Sequence, residues 1–195
     1  MSKPITIVKP APTAQKMRFS VVDYQRMGKA GVFEDKPKVE LIDGEIYTMS
    51  PITPDHNGHV DKAAYFFNKV LVDKVIVRTQ GSIRTDDYSE PEPDIAILRF
   101  DKNFYSKEQA TAADTLLVIE VAVFSVDRDR TIKKRKYAMA GIPEYWIIIP
   151  HKKIIEVYRQ PEEEDYAQKV TYKLEDNWVF ETFDLKINGR DLLIP

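Results

Sequence analysis

Glu120 sits in the middle of Leu116–Phe124, a run that is otherwise apolar (LLVIEVAVF). A carboxylate in such surroundings is costly unless it is paired, protonated or bound to a metal. Asp94 has a related setting, since it follows Pro93 and opens a second apolar run, Ile95–Leu98. If the two runs are neighbouring strands, both carboxylates project from one face near one edge of the sheet. Two carboxylates with few waters between them bind a hard divalent cation through oxygen. The alternative is that Glu120 forms a buried ion pair with a Lys or Arg. A basic segment follows directly, DRDRTIKKRKYAMAGIPEYW from Asp127. In it Asp129, Lys133 and Tyr137 are spaced by four and share one helix face. An ammonium on that face, beside two metal-binding carboxylates, can orient or activate a water and stabilise charge on a phosphate. Lys134 and Arg135 fall on a different, solvated face.

The elements that must position these groups follow from pattern. Ser20 is an N-cap with Asp23 at N3 for a helix over 21–29, ended near Gly31. VELIDGEIYTM, 39–49, is a hairpin about Asp43-Gly44. SPITPDH breaks the chain, and Val60, Ala63, Ala64, Phe67, Val70 and Leu71 then fall at helical spacing within 57–74. A strand with a Gly bulge or turn is expected over 75–84, and DDYSEPEP is a loop. The runs at 94–98 and 116–124 read as strands buried on both faces, with a short helix from near Ser106 between them. A helix over 127–140 is stopped by Gly141 and Pro143, and YWIII, 145–149, is a third buried strand. Further strands at 154–160 and after Asp165 flank the PEEED turn. The sum is a mixed α/β domain with a strand–strand–helix–strand core. At 195 residues the expectation is an N-terminal arm over 1–16 and a single domain over 17–195.

Composition narrows the function. With 29 Lys plus Arg against 31 Asp plus Glu, the chain is not a globally basic nucleic-acid binder, although a local basic patch is compatible. The absence of Cys excludes disulfides, Cys-based zinc, iron–sulfur clusters and a Cys nucleophile. With no secretory signal and no apolar run long enough to span a bilayer, the expectation is a cytoplasmic protein that does not enter membranes. G-x-G-x-x-G and the P-loop are absent, so no nucleotide cofactor is expected. No G-x-S-x-G supports Ser-His-Asp catalysis. His56 and His59 are three apart, a metal-compatible spacing, but without Cys or H-E-x-x-H a zinc hydrolase is disfavoured.

Pro93-Asp94 followed by Glu120 in an apolar strand resembles the PD-(D/E)XK restriction-endonuclease-like superfamily. The joint pattern is more specifically similar to the Uma-two family of endonucleases. It consists of VELIDGEIYTMSP, His56, EPDIAIL, LLVIEV with Ser125, Asp129, Lys133 and Tyr137, and AGIPEYWII, and it spans about residues 20–160. The resemblance implies a restriction-endonuclease-like α/β core, a twisted mixed β-sheet flanked by helices. It also implies Asp94 and Glu120 as ligands of Mg²⁺ or Mn²⁺, Glu40 as a further carboxylate and His56 as the family histidine. Two departures stand out. Ala122 occupies the place of the superfamily Lys two residues after the Glu, with Lys133 on the helix in its stead. The family's Ser-Pro-Ser is Ser125-Val126-Asp127 here. The expected activity is hydrolysis of DNA phosphodiester bonds, with a homodimer supplying a site for each strand. A non-catalytic binding module and an enzyme acting on a small phosphoester are the rivals. A concave basic rim around Asp94 would select nucleic acid, and a narrow pocket a small ester.

Overall fold

The computed structural model describes residues 16–195, so the arm expected over 1–16 lies, except for Lys16, outside the described residues. Helix α1 (Val21–Lys29) carries the full capping box of Ser20 and Asp23. Strands β1 (Val39–Ile42) and β2 (Glu45–Thr48) form the hairpin. Its two turn residues, Asp43 and Gly44, both have positive φ, as a two-residue hairpin turn requires.

Helix α2 (Pro54–Val70) begins three residues before the expected Asn57 and ends four before Lys74. Thr53 caps it by accepting from the His56 amide, and Pro54 takes the first turn, where no amide N–H is needed. The segment taken for a chain break is therefore the helix start.

Strands β3 (Val75–Thr79), β4 (Ile95–Arg99), β5 (Thr115–Val121), β6 (Glu144–Ile149), β7 (Ile154–Glu162) and β8 (Asp165–Lys173) form one sheet in that spatial order. Only β5 and β6 run parallel; the other neighbours are antiparallel. Strand β3 stops at Thr79 because Gln80 turns into the left-handed region. The helix expected near Ser106 is instead a loop, whose amides at Asn103 and Tyr105 donate to the Asp101 carboxylate. A 3₁₀ turn at Ala112–Asp114 completes this connection. Strand β5 ends at Val121 rather than Phe124, and Phe124 stands in solvent.

The parallel pair β5–β6 requires a crossover, and the basic segment supplies it as α3 (Val126–Arg128), a π turn (Asp129–Lys133) and α4 (Lys134–Met139). The expected helix is thus present, but widened in its middle.

The sheet is covered on both sides. One face packs Ile95, Ile97, Leu117, Ile119 and Trp146 against Val60, Ala63 and Phe67 of α2. Strands β9 (Asn177–Phe180) and β10 (Leu185–Asn188) and helix α5 (Gly189–Leu192) close the same side. The other face packs Ala96, Leu98, Val118, Ala122, Tyr145 and Ile147 against Tyr137 and Ala138 of α4.

The hairpin turn is the tightest constraint on β1. A Cβ on Gly44 would lie 2.7 Å from the Arg18 Cβ, and its φ is +77°. Gly44→Ala should therefore lower the unfolding free energy by about 1–2 kcal/mol. In urea the midpoint should fall with an unchanged slope; an unchanged midpoint would show that the turn tolerates a side chain.

Candidate active site

Alternation along the strands decides which side chains meet. On β5 the residues Val118 and Ala122 face α4, so Glu120 between them does too. On β4 the residues Ala96 and Leu98 face the same way, and Asp94 continues that series. Ile95 is paired with Ile119, which sets Asp94 opposite Glu120 one step further on. The Val121 amide donates to Asp94 Oδ2 at 2.7 Å and fixes that carboxylate at the strand end. The two carboxylates thus share one face and line one cleft.

Helix geometry brings the rest. The Lys133 ammonium donates to Glu120 Oε1 at 2.9 Å and lies 3.3 Å from Glu40 Oε2. The Tyr137 hydroxyl donates to the same Glu120 Oε1 at 2.8 Å. Asp129 accepts from the Ser125 hydroxyl through Oδ2, while its Oδ1 is buried with no hydrogen-bond partner. Asp129, Lys133 and Tyr137 are all buried, as their shared helix face anticipates. His56, in the first turn of α2, places Nε2 3.0 Å from Asp94 Oδ1, and its Nδ1 is buried without a partner. Glu40, on β1, is fully buried behind Lys133 and is linked to the cleft through the side chains of Lys133 and Arg128. His59 faces away, holding the Ile194 amide on its Nε2.

The π turn explains a contact that spacing by four does not. Its i→i+5 bonding brings residues five apart onto one side. Arg128 Nη2 lies 3.7 Å from Glu40 Oε1 while Lys133 approaches Oε2, so the two cations hold the two oxygens of one carboxylate. Arg128 also donates to the Thr48 carbonyl of β2, which ties the hairpin to the crossover. Sequence reasoning missed Arg128, because a regular helical period assigns it no place beside Lys133. It also made no assignment for Lys136, which is buried and paired with Asp43 and Asp86.

The cluster sets four carboxylates (Glu40, Asp94, Glu120 and Asp129) against two fixed cations, Lys133 and Arg128. Burial raises the Glu120 carboxyl well above its ordinary value; Lys133 opposes this, and the neighbouring carboxylates reinforce it. Burial likewise raises Asp129. Burial alone would lower the Lys133 ammonium, but Glu120, Glu40, Asp129 and Asp94 together push it above its ordinary value, so Lys133 remains charged. The hydrogen bond to Asp94 raises the His56 imidazole.

Among the described residues no three His, Asp or Glu side chains converge as a ready-made metal cage. Mg²⁺ does not need one, since it keeps several waters and is commonly held by one or two carboxylates plus a phosphate. The excess of carboxylates and the unpartnered Asp129 Oδ1 fit a hard cation or its waters at the cleft floor.

Residues 21–188 match the family model Uma2, described as "Putative restriction endonuclease", and the chain belongs to that family. The fold is shared with a crystal structure of a "putative nuclease belonging to DUF820" from Anabaena variabilis ATCC 29413. The TM-score is 0.61 at 16% identity, covering 80% of this chain and 89% of that one. No curated protein matches the chain. Among the described residues no helix is long and apolar enough to cross a membrane.

Lys133→Met leaves a carboxylate cluster without its central cation, and unfolding free energy at neutral pH should drop by about 3–5 kcal/mol. The loss should shrink as pH falls, beginning above the ordinary carboxylate range, because burial raises the stranded Glu120 and Asp129 carboxyls and the lost ammonium no longer opposes it. A loss independent of pH would assign the effect to packing rather than charge.

Glu120 gives a second pH signature. The folded protein keeps its proton at pH values where the unfolded chain has released it, so the folded state binds more protons there. Its contribution to stability is complete below the ordinary carboxylate range and is lost as pH rises toward the raised folded value. Glu120→Gln should flatten that part of a stability–pH curve measured by urea unfolding. A slope left unchanged by the substitution would show that the other raised carboxyls, Asp129, Glu92 and Glu144, dominate this range.

Proposed function

We propose that this protein is a divalent-metal-dependent endonuclease that hydrolyses DNA phosphodiester bonds at the cleft above Asp94 and Glu120. The single observation that carries the reading is the convergence of those two carboxylates on one sheet face with the Lys133 ammonium 2.9 Å from Glu120. Asp94 and Glu120 would hold Mg²⁺ or Mn²⁺. A cation there supplies Lewis acidity toward the phosphodiester and lowers the pKa of a water.

The chain's own groups have distinct tasks. Lys133 stays charged, so it cannot take a proton from water; it offsets the negative charge that builds on the phosphate. Glu40 and Arg128 fix the position of Lys133 or of each other, and Tyr137 orients Glu120 through Oε1. His56 holds Asp94 through Nε2, and with Nδ1 buried it would act as general base toward the attacking water only if the ring turned toward the cleft. In the overall reaction a water oxygen bonds to phosphorus, a phosphorus–oxygen ester bond breaks, and the leaving oxygen takes up a proton. A homodimer would present two such sites to the two strands.

A second reading, hydrolysis of a small phosphoester, is favoured by the dimensions of the cleft. Its volume is about 420 Å³, which is small-molecule size, and no broad basic rim lines it.

Supercoiled and linear DNA incubated with Mg²⁺, with Mn²⁺ and with chelator should be cut only with metal. Asp94→Asn should reduce the rate on the order of 10²-fold or more. Thermal melts should show metal stabilisation of about 2.7 kcal/mol at 100 times the dissociation constant, lost in Asp94→Asn. A metal-dependent rate on an aryl phosphodiester with intact DNA would favour the small-ester reading. Metal stabilisation with no hydrolysis of either would leave a binding module.

A further inference from the structure

The mouth of the cleft is built differently from its floor. Phe124, on the turn after β5, is 71% exposed, and Ile52, on the loop before α2, is 52% exposed. Both line the cleft together with Met49 and Pro51. Phe124 belongs to neither hydrophobic core cluster, so core packing does not account for an aromatic at this mouth.

The cations of the cleft are already engaged. Lys38 is paired with Glu92, Arg128 and Lys133 with Glu40, Lys133 also with Glu120, and His56 with Asp94. A polyanion gains little from side chains whose charge is balanced at such short range. Grip on a nucleic acid at this mouth must therefore come largely from contact with bases. In a duplex the base faces are hidden in the stack and must be extruded to be reached, whereas a single strand offers them to an aromatic side chain at no such cost. A cleft of about 420 Å³ has room for a nucleotide and not for a duplex.

We infer that the site takes unpaired DNA, with a base laid against Phe124 and Ile52 and the adjoining phosphodiester over Asp94 and Glu120. This rests on the nuclease reading for the identity of the ligand and adds the strand state that it selects. It also reconciles a narrow pocket with a polymeric substrate, because only one nucleotide enters at a time.

The test measures binding and cleavage separately. A fluorescein-labelled oligothymidylate of about 15 nucleotides, alone or annealed to oligoadenylate, is titrated with protein in Mg²⁺ and followed by anisotropy. Each sample is then run on a denaturing gel to score strand length. Wild type should bind the single strand at least about tenfold more tightly than the duplex. Phe124→Ala should weaken single-strand binding about 5-fold to 150-fold, the equivalent of about 1–3 kcal/mol of base stacking. Phe124→Trp should retain the affinity. Phe104→Ala, at an exposed aromatic beyond the opposite end of β4, should behave as wild type.

Equal or tighter binding of duplex, no effect of Phe124→Ala, or no measurable binding of either form overturns the inference. Phe124-dependent binding of an uncut single strand would uphold it while the nuclease reading fails. Cleavage of duplex that is indifferent to Phe124 would do the reverse.

Discussion

The burial of the Lys133 ammonium between Glu120 and Glu40 is the interaction on which the rest of the site depends. It joins three elements: the central strand β5, the crossover that follows it and the hairpin strand β1, remote in sequence from both. A charge of this kind, 2% exposed, is tolerated only because carboxylates surround it. The carboxylates in turn cannot sit so close to the core without it. Neither side of the arrangement is stable alone, so electrostatics joins the hairpin to the helix alongside the burial of Leu41 and Ile42. The π turn is part of the same solution, since it admits Arg128 to the second oxygen of Glu40.

The cluster nevertheless remains short of positive charge. Two fixed cations face four carboxylates, and the upward shifts of Glu120 and Asp129 express that imbalance together with their burial. A purely structural ion-pair network would be expected to close its hydrogen bonds. Here Asp129 Oδ1, Glu40 Oε1, Arg128 Nε and His56 Nδ1 are buried without hydrogen-bond partners, Glu40 Oε1 having only the longer ion-pair contact to Arg128. Unsatisfied polar atoms each carry a desolvation cost, and three of the four belong to residues that line the cleft, His56, Arg128 and Asp129.

Much of this was legible in the sequence, for identifiable reasons. The hairpin turn, the capped first helix and the buried strands are local signals, set by Asp43-Gly44, by Ser20 with Asp23 and by runs of apolar residues. The anomaly of Glu120 was legible because a charge in an apolar strand breaks its own context, and the face shared by Asp129, Lys133 and Tyr137 followed from helical spacing. What escaped was non-local or irregular. The start of α2 was hidden by Pro51 and Pro54, which signal both breaks and first turns. The left-handed conformations of Phe104 and Tyr105 replaced an expected helix, and no propensity of those residues favours that conformation. The π turn has no signature in a 3.6-residue pattern, and with it Arg128 was lost. Glu120 illustrates a different limit. The ion pair and the metal ligand were posed as alternatives, yet one oxygen of the carboxylate is paired with Lys133 while the residue still lines the cleft.

The aromatic residues are divided between the two faces of the sheet, and this gives the protein two separate optical signals. Trp146 and Trp178, the chain's only tryptophans, pack edge to face at 5.7 Å on the α2 side. Tyr137, Tyr145, Tyr158 and Tyr166 form a ladder on the α4 side, with Tyr145 5.1 Å from Tyr137 and 5.8 Å from Tyr158. Indole emission therefore samples the layer formed by α2 and the C-terminal strands. Near-ultraviolet tyrosine dichroism samples chiefly the layer that anchors Glu120, with Tyr172, stacked on Trp178 at 4.6 Å, reporting from the other side. Coincident transitions by the two probes are the mark of a single cooperative unit. A separation between them would show the charged layer releasing the sheet while the tryptophan layer is still closed.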